Sequence, residues 1–371
     1  MRLAWRELRR TPGRFGVATA VLVVLAVLLI FLGGLLDGLI ASSTGAFRAQ
    51  RAELIVFSTQ ADESLVRSRI DAALAQRVAS VPGVDRVGSL GSIQLAGRPS
   101  DDPTSREVVG VVVFGYDLAP RGLPVEPPND GEVIADDSLQ ADGYRVGDTI
   151  LVGSQRSPLR ITAFTNDTQY AGQASLWGSL STWRMVTAAN RPDRAVAADT
   201  VAALVLRVDA DRASRIAVDI DSATGRTRTM TFPAAIEALP GVAQQRTTFN
   251  QIIGVTAIVA LLVVALFFWL ITVERLPLYG TLKAIGASSR TLFGGVLVQA
   301  GTVTLVASVI GSLLAVGLDA AIPPGSVPFQ LTVSRVLLSV ALMLLAAAIG
   351  SVFSLRRVLR VDPASAIGAG A

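Results

Sequence analysis

The stretch T-V-E-R-L-P-L-Y-G-T-L-K-A-I-G-A-S-S-R-T-L, Thr272 to Leu292, decides how the chain is laid out. It is polar and turn-rich, and it holds the protein's only lysine, Lys283. Apolar runs flank it, Ile252–Val273 before and Leu292–Val316 after. A hydrocarbon core about 30 Å thick needs about 20 apolar residues in a helix, so either flank is long enough to cross a bilayer. If both cross, residues 274–290 are a short loop on one membrane face. Working outward, Val17–Ile40 and Val336–Leu355 meet the same length rule.

Composition agrees. Of 371 residues, 51% are apolar, which fits a membrane protein with a sizeable polar insert better than one soluble domain. With no cysteine there is no disulfide framework and no thiolate metal site. With no histidine, Ser-His-Asp and Cys-His catalysis, the usual zinc sites and an imidazole haem ligand are all removed. No metal site is expected. The basic pI of about 10.1 calls for no nucleic-acid partner, because the arginines cluster beside the apolar runs.

Charge then orients the runs. The start M-R-L-A-W-R-E-L-R-R-T-P-G-R is basic, and the apolar run after it exceeds the 7–15 residues or so of a signal-peptide core. A retained span is expected, with 1–14 as an amphipathic helix on the inner surface. The loop 274–290 carries Arg275, Lys283 and Arg290 against Glu274, and the tail carries Arg356, Arg357 and Arg360 against Asp362. Asp319 to Ser334 has neither Lys nor Arg. The positive-inside rule therefore predicts a multi-pass protein of the bacterial cytoplasmic membrane with both termini cytoplasmic. Spans are expected at 15–40, 249–273, 291–317 and 335–355. Between them fall an extracytoplasmic domain at 41–248, the cytoplasmic loop 274–290, an outer loop at 318–334 and a tail at 356–371.

The insert is about 200 residues, a domain's worth. Strand-like runs occur at Glu53–Phe57, Val108–Phe114, Gly131–Ile134, Thr149–Val152, Leu159–Phe164 and Val201–Val208, with helical patterns at Glu63–Val81 and Pro233–Leu239. A-L-A-Q-R-V-A-S-V-P-G-V (Ala73–Val84) and F-P-A-A-I-E-A-L-P-G-V (Phe232–Val242) both read helix, then Pro-Gly-Val. Pro-Gly ends a helix and marks a turn into a strand. Two βαβ-like units, one near each end, with a β-rich insert between them, are expected: an α+β domain on four transmembrane helices. In the spans, Gly34 with Gly38, and Ala307, Gly311 and Ala315, form small-residue stripes that permit close helix approach.

No G-x-x-x-x-G-K-[ST] occurs, so ATP cannot be cradled in the P-loop manner. Asp101-Asp102 and Asp136-Asp137 read as solvated turn acids, since neighbouring acids on a strand point apart. Ser42-Ser43 and Ser288-Ser289 lack a base partner, and Ser288 or Ser289 suits the N-cap of the third span. Asp37 is the sharper signal. It lies near the outer end of an apolar run, where a charge costs less than the roughly 3 kcal/mol of mid-membrane. It reads either as a polar point in a lateral entry site or as an interfacial acid among headgroups, and Glu53 and Glu63 share that choice.

Three motifs carry a resemblance. They are L-K-A-I-G-A-S at 282–288 behind Tyr279-Gly280, the tail R-R-V-L-R-V-D-P-A-S-A-I-G at 356–368, and the start W-R-E-L-R-R-T-P-G-R-F. Together with one span, a large outer domain and three more spans, they resemble MacB/FtsX-type ABC transporter permeases. F-L-G-G-L-L-D-G-L, A-E-L-I-V-F-S and A-I-E-A-L-P-G-V-A-Q-Q-R look most like haem-exporter and DevC-like members. The resemblance implies a dimer of two permease copies in membrane lipid, each above a separate ABC ATPase that binds the ATP and Mg. It implies that Glu274, Arg275, Tyr279, Gly280, Leu282, Lys283 and Gly286 contact that ATPase. Relatives carry an acid before the aromatic-Gly pair, and here Leu278 follows Pro277 instead. The implied function is export of an amphiphile (haem, lipid or antimicrobial) from the membrane or outer face. A mechanical transmitter that activates a cell-wall hydrolase and an antimicrobial-peptide sensor are the alternatives. Haem iron would need a carboxylate, Tyr or Met ligand, with Asp37, Glu53 and Glu63 as candidates.

Overall fold

The computed structural model describes residues 12–100, 108–192, 197, 199–274, 281, 285, 288–322 and 327–359. The proposed amphipathic start and the tail motif thus lie almost wholly outside the described residues, as does Asp101-Asp102. The chain forms two compact units. One is helical, holding the chain up to Gly38, Arg246–Ile322 and the segment from Phe329; the other is mixed and holds Leu39–Gln245.

Helix α1 is Pro12–Arg48, so it runs well past Ile40, where the apolar run ends. The mixed unit continues with β1 (Leu54–Ser58), α2 (Ala72–Ala79), β2 (Val84–Pro99), β3 (Val109–Tyr116), β4 (Glu132–Asp136), β5 (Thr149–Val152), β6 (Ser157–Thr165) and β7 (Ala174–Gly178). Then come α3 (Leu180–Asn190), β8 (Ala203–Val208), α4 (Ala213–Thr224), β9 (Thr227–Thr231) and α5 (Phe232–Ala238).

The two expected βαβ units are present, and they interlock. β1 and β2 are both antiparallel to β8, so they run parallel with β8 between them. β8 and β9 are likewise both antiparallel to β1. The order β2-β8-β1-β9, with α2 and α4 as crossovers, is a ferredoxin-like split βαβ arrangement. Strand alternation divides its side chains. Leu54, Val56, Leu204 and Leu206 pack with Leu74, Val78, Ile216 and Ile220 of the crossovers. Ile55, Phe57, Ala203 and Val205 face the opposite way, toward Phe47 of α1 and Phe232 of α5. Leu54 pairs with Thr231, so the chain enters and leaves this sheet at adjacent points.

The repeat that suggested two units was misleading in its second half. Pro82-Gly83 does turn α2 into β2. Pro240-Gly241 instead leads from α5 into the next long helix, and the true second crossover is α4, ended by Gly225 at φ +63°. The first helix is also shorter than its pattern. Asp62 and Glu63 sit at φ 49° and 60°, outside helical space, and α2 starts only after Asp71, whose carboxylate accepts from Leu74 N at 2.7 Å.

The β-rich insert grows from β2, whose first half pairs with β8 and whose second half pairs with β3. β5 returns to the end of β2 through Gly97, Arg98 and Pro99. The run β2-β3-β7-β4-β6-β5 thereby closes on itself. Val111, Val133, Ile150, Ile161, Leu176 and others fill this insert.

The helical unit holds α1, α6 (Val242–Glu274), α7 (Ser289–Ala321) and α8 (Val333–Leu359), each long and apolar enough to cross a membrane. Leu22, Ala26, Leu29, Val264, Ala300, Ala307 and Met343 join in one core. Val24, Leu262, Leu266, Leu313 and Leu337 point outward, as lipid-facing side chains do. A Cβ on Gly311 would lie 2.8 Å from Ala26 Cβ, and one on Gly350 would lie 2.9 Å from Ala265 N, so these small residues set the helix spacing.

Candidate functional sites

The loop that organises the sequence begins where α6 ends at Glu274, an exposed side chain. Arg275, Tyr279, Gly280, Leu282, Lys283 and Gly286 lie outside the described residues. Of the remainder, Ile285 is 81% exposed, a large apolar side chain open to a partner. α7 starts at Ser289, which leaves Ser288 at the N-cap position.

Asp37 lies on α1 and meets Arg335, in the first turn of α8. Arg335 Nε donates to Asp37 Oδ2 at 2.9 Å while Nη2 donates to Oδ1, the two-pronged guanidinium–carboxylate geometry. Thr332 Oγ1 is 3.4 Å from Oδ2 and also accepts from Arg335 N at 3.2 Å, capping α8. Gly33 and Gly34 make room: a Cβ at either would collide with the Arg335 side chain or the Phe329 ring. Gln330 N donates to Gly34 O at 3.0 Å, and the Phe31 and Phe329 rings stack 5.3 Å apart. Asp37 stands out in the sequence as a charge in an apolar run, whereas Arg335, one residue beyond the arginine-free loop, carries no such signal.

Glu53 and Glu63 sit at opposite ends of β1. The Glu53 carboxylate accepts from Val208 N at 3.0 Å. Glu63 pairs with Arg228 at 3.2 Å across the β1–β9 edge. Within the mixed unit these two carboxylates do not converge, and each has a structural partner.

A third constellation was not read from the sequence. The β6–β7 turn closes on the last turns of α1. Ala46 N donates to Gln169 O at 3.0 Å, while Ala171 N and Gly172 N donate to Ser43 O and Ser42 O at 3.0 and 3.1 Å. Arg48 pairs with Asp167, and Tyr170 lies 5.3 Å from the Phe47 ring. Asp167 and Ala171 hold φ 57° and 53°, a cost that non-glycine residues bear only when their surroundings fix them. Burial pushes the Tyr170 phenol well above its ordinary range, and that of Tyr116 up to about 12.

Asp136 anchors this turn. Far from being solvated, it is 1% exposed and accepts four hydrogen bonds. Two come from Ser138 N and Oγ (3.1 and 2.6 Å) and two from Thr168 N and Oγ1 (2.9 and 2.7 Å). Ser175 Oγ bonds Thr168 Oγ1, and Trp177 Nε1 bonds Ser175 Oγ. Of this pair Asp137 is the exposed one, as the turn-acid reading expects, though its carboxyl is partly shielded from water. Burial, then the neighbouring Asp136, raise its carboxyl above the usual range.

In the helical unit an apolar groove of about 240 Å³ runs between α1 and α6, lined by Val17, Val21, Leu22, Val263, Phe267 and Leu270. It lies toward the Glu274 end of α6, away from Asp37 along α1.

The FtsX-like permease C-terminal family matches residues 250–363. The "Putative hemin transport system permease protein HrtB" of Staphylococcus haemolyticus is 21% identical, covering 99% of this chain and 99% of its own. An uncharacterized ABC transporter permease of Mycobacterium tuberculosis is 38% identical over 112 residues, 30% of this chain and 31% of its own. The periplasmic region of MacB from Actinobacillus actinomycetemcomitans aligns with a TM-score of 0.34 at 10% identity, covering 50% of this chain and 90% of its own. The chain is thus similar over its full length to hemin transport permeases, and its residues 250–363 match the FtsX-like permease C-terminal family.

Proposed function

We propose that this chain is the membrane subunit of an ABC exporter for a haem-like amphiphile, driven by ATP hydrolysis on a separate ATPase subunit. The observation that carries the reading is the similarity to hemin transport permeases, 20% to 21% identical over 99% to 100% of each chain. Its sequence holds no P-loop, so the ATPase is assigned to a partner. The contact is assigned to the 274–290 loop, with Glu274, Arg275, Tyr279, Gly280, Leu282, Lys283 and Gly286 as its residues. The exposed Ile285 supports that assignment, because an apolar side chain in a short polar loop suits a protein partner. Both termini and this loop are placed in the cytoplasm, and two permease copies form the working unit.

Haem itself sets a chemical restriction. Without His or Cys, iron ligation falls to carboxylate, Tyr or Met. Asp37, Glu53 and Glu63 all have protein partners, so a ligating role for any of them requires that partner to be displaced. Growth of a deletion strain on graded haemin tests the reading. Haemin hypersensitivity, complemented by this chain only together with an ABC ATPase, is expected. Unchanged haemin tolerance, with hypersensitivity to a different amphiphile, would reassign the substrate.

A further inference from the structure

We propose that Asp37 and Arg335 are positioning residues. Their ion pair is a strut that holds the outer part of α1 against the start of α8 throughout the transport cycle, and neither residue is a ligand for substrate. The transport readout rests on the export reading above; the strut itself does not.

Each residue is out of place alone. Arg335 stands in the first turn of α8, where the positive end of the helix dipole disfavours a cation. It also stands at the membrane end of a segment, Asp319 to Ser334, that otherwise lacks Lys and Arg. Asp37 is a carboxylate within a run of apolar residues. The two costs offset each other only when the charges meet, and they meet with both carboxylate oxygens engaged. Their side chains are only 17% (Arg335) and 23% (Asp37) exposed.

The surroundings are built to keep the pair closed. Gly33 gives the Arg335 stem its room, and Gly34 gives Phe329 its room. Gln330 N is fixed to Gly34 O, Phe329 is stacked on Phe31, and Thr332 caps the helix that carries Arg335. Contacts of four kinds thus join residues 31–37 to residues 329–335. Both oxygens of Asp37 and the Nε and Nη2 groups of Arg335 are already engaged by each other, so a substrate ligated here would have to break the pair.

The test uses the full-length permease in membranes, with two readouts. The chain has no cysteine, so Phe31→Cys with Phe329→Cys supplies a unique pair for a short bis-methanethiosulfonate cross-linker, which forms a reducible disulfide with each thiol and releases methanesulfinate. Cross-linking should be rapid, and export of haemin should persist in the linked protein. Asp37→Asn or Arg335→Gln should each slow cross-linking and reduce export by about tenfold, the scale of a strong pairwise coupling. The double variant should be no worse than either single one, because the interaction is already lost. Export abolished by the link and restored by its reductive cleavage would overturn the strut. So would loss of export in Asp37→Asn with Arg335→Gln unaffected, which is the pattern of a substrate ligand. If the unmodified protein exports no haemin, the export reading fails. Cross-linking rates in the charge variants then still decide whether the pair holds the two segments together.

Discussion

At Gly45 a side chain has nowhere to go. A Cβ there would lie 2.8 Å from Asp167 O and 2.9 Å from Gln169 N and O, all backbone atoms that cannot swing aside. In an ordinary exposed helix, Gly→Ala adds about 1 kcal/mol of stability. At this position the sign should reverse. Gly45→Ala should lower the melting temperature and speed hydrogen exchange at the Ala46, Ala171 and Gly172 amides, and a more stable variant with unchanged exchange would refute the contact. Asp137 offers a test in pH. Its carboxyl is raised by burial and by Asp136, so the folded state holds that proton more tightly than the unfolded chain does. The stabilisation from this proton is complete below the ordinary Asp value of about 3.9 and is lost as pH rises through the raised value. Asp137→Asn should therefore melt higher than the parent near neutral pH. The difference should shrink toward zero on acidification, as measured by thermal melts across that range.

Among the elements, the β6–β7 turn deserves the strongest claim, because its anchor is buried and fully bonded. Asp136→Ala would leave the Thr168 N–H and hydroxyl without their acceptor, at a cost of about 3 kcal/mol. A melting point lowered accordingly, with local exchange gained at 166–173, is the expected result; an unchanged melt would show the network to be dispensable. None of this was legible locally, since Asp136 and Thr168 are joined only by the β4–β6 pairing. Other elements were readable in proportion to their pattern. The four long helices stand out as apolar runs, and β5 matches Thr149–Val152 as read. β9 escaped because T-R-T-M-T buries Thr227 and Thr229, whose hydroxyls bond Asp221, so its inward face looks polar. α4 escaped because A-S-R-I-A-V-D-I-D-S-A-T carries few large apolar residues, and the Pro-Gly of α5 drew attention to the wrong helix. The partner of Asp37 lies 298 residues away, a distance that no local pattern spans.

For the whole molecule, the proposed transport function rests on a frame of four membrane-length helices and a ferredoxin-like sheet with a closed β insert, with the 274–290 loop as its proposed point of drive. Gly286 lies in that loop. Gly286→Trp should leave membrane insertion intact while separating ATP hydrolysis from haemin export; normal coupling would remove the loop from the ATPase contact. The central claim is export powered by another chain, and it is tested most directly by co-reconstituting this permease with its ABC ATPase in haemin-loaded proteoliposomes. Haemin movement should require ATP and both proteins and should stop when the ATPase is inactivated. Haemin movement by the permease without ATPase, or none with both and ATP present, would contradict it.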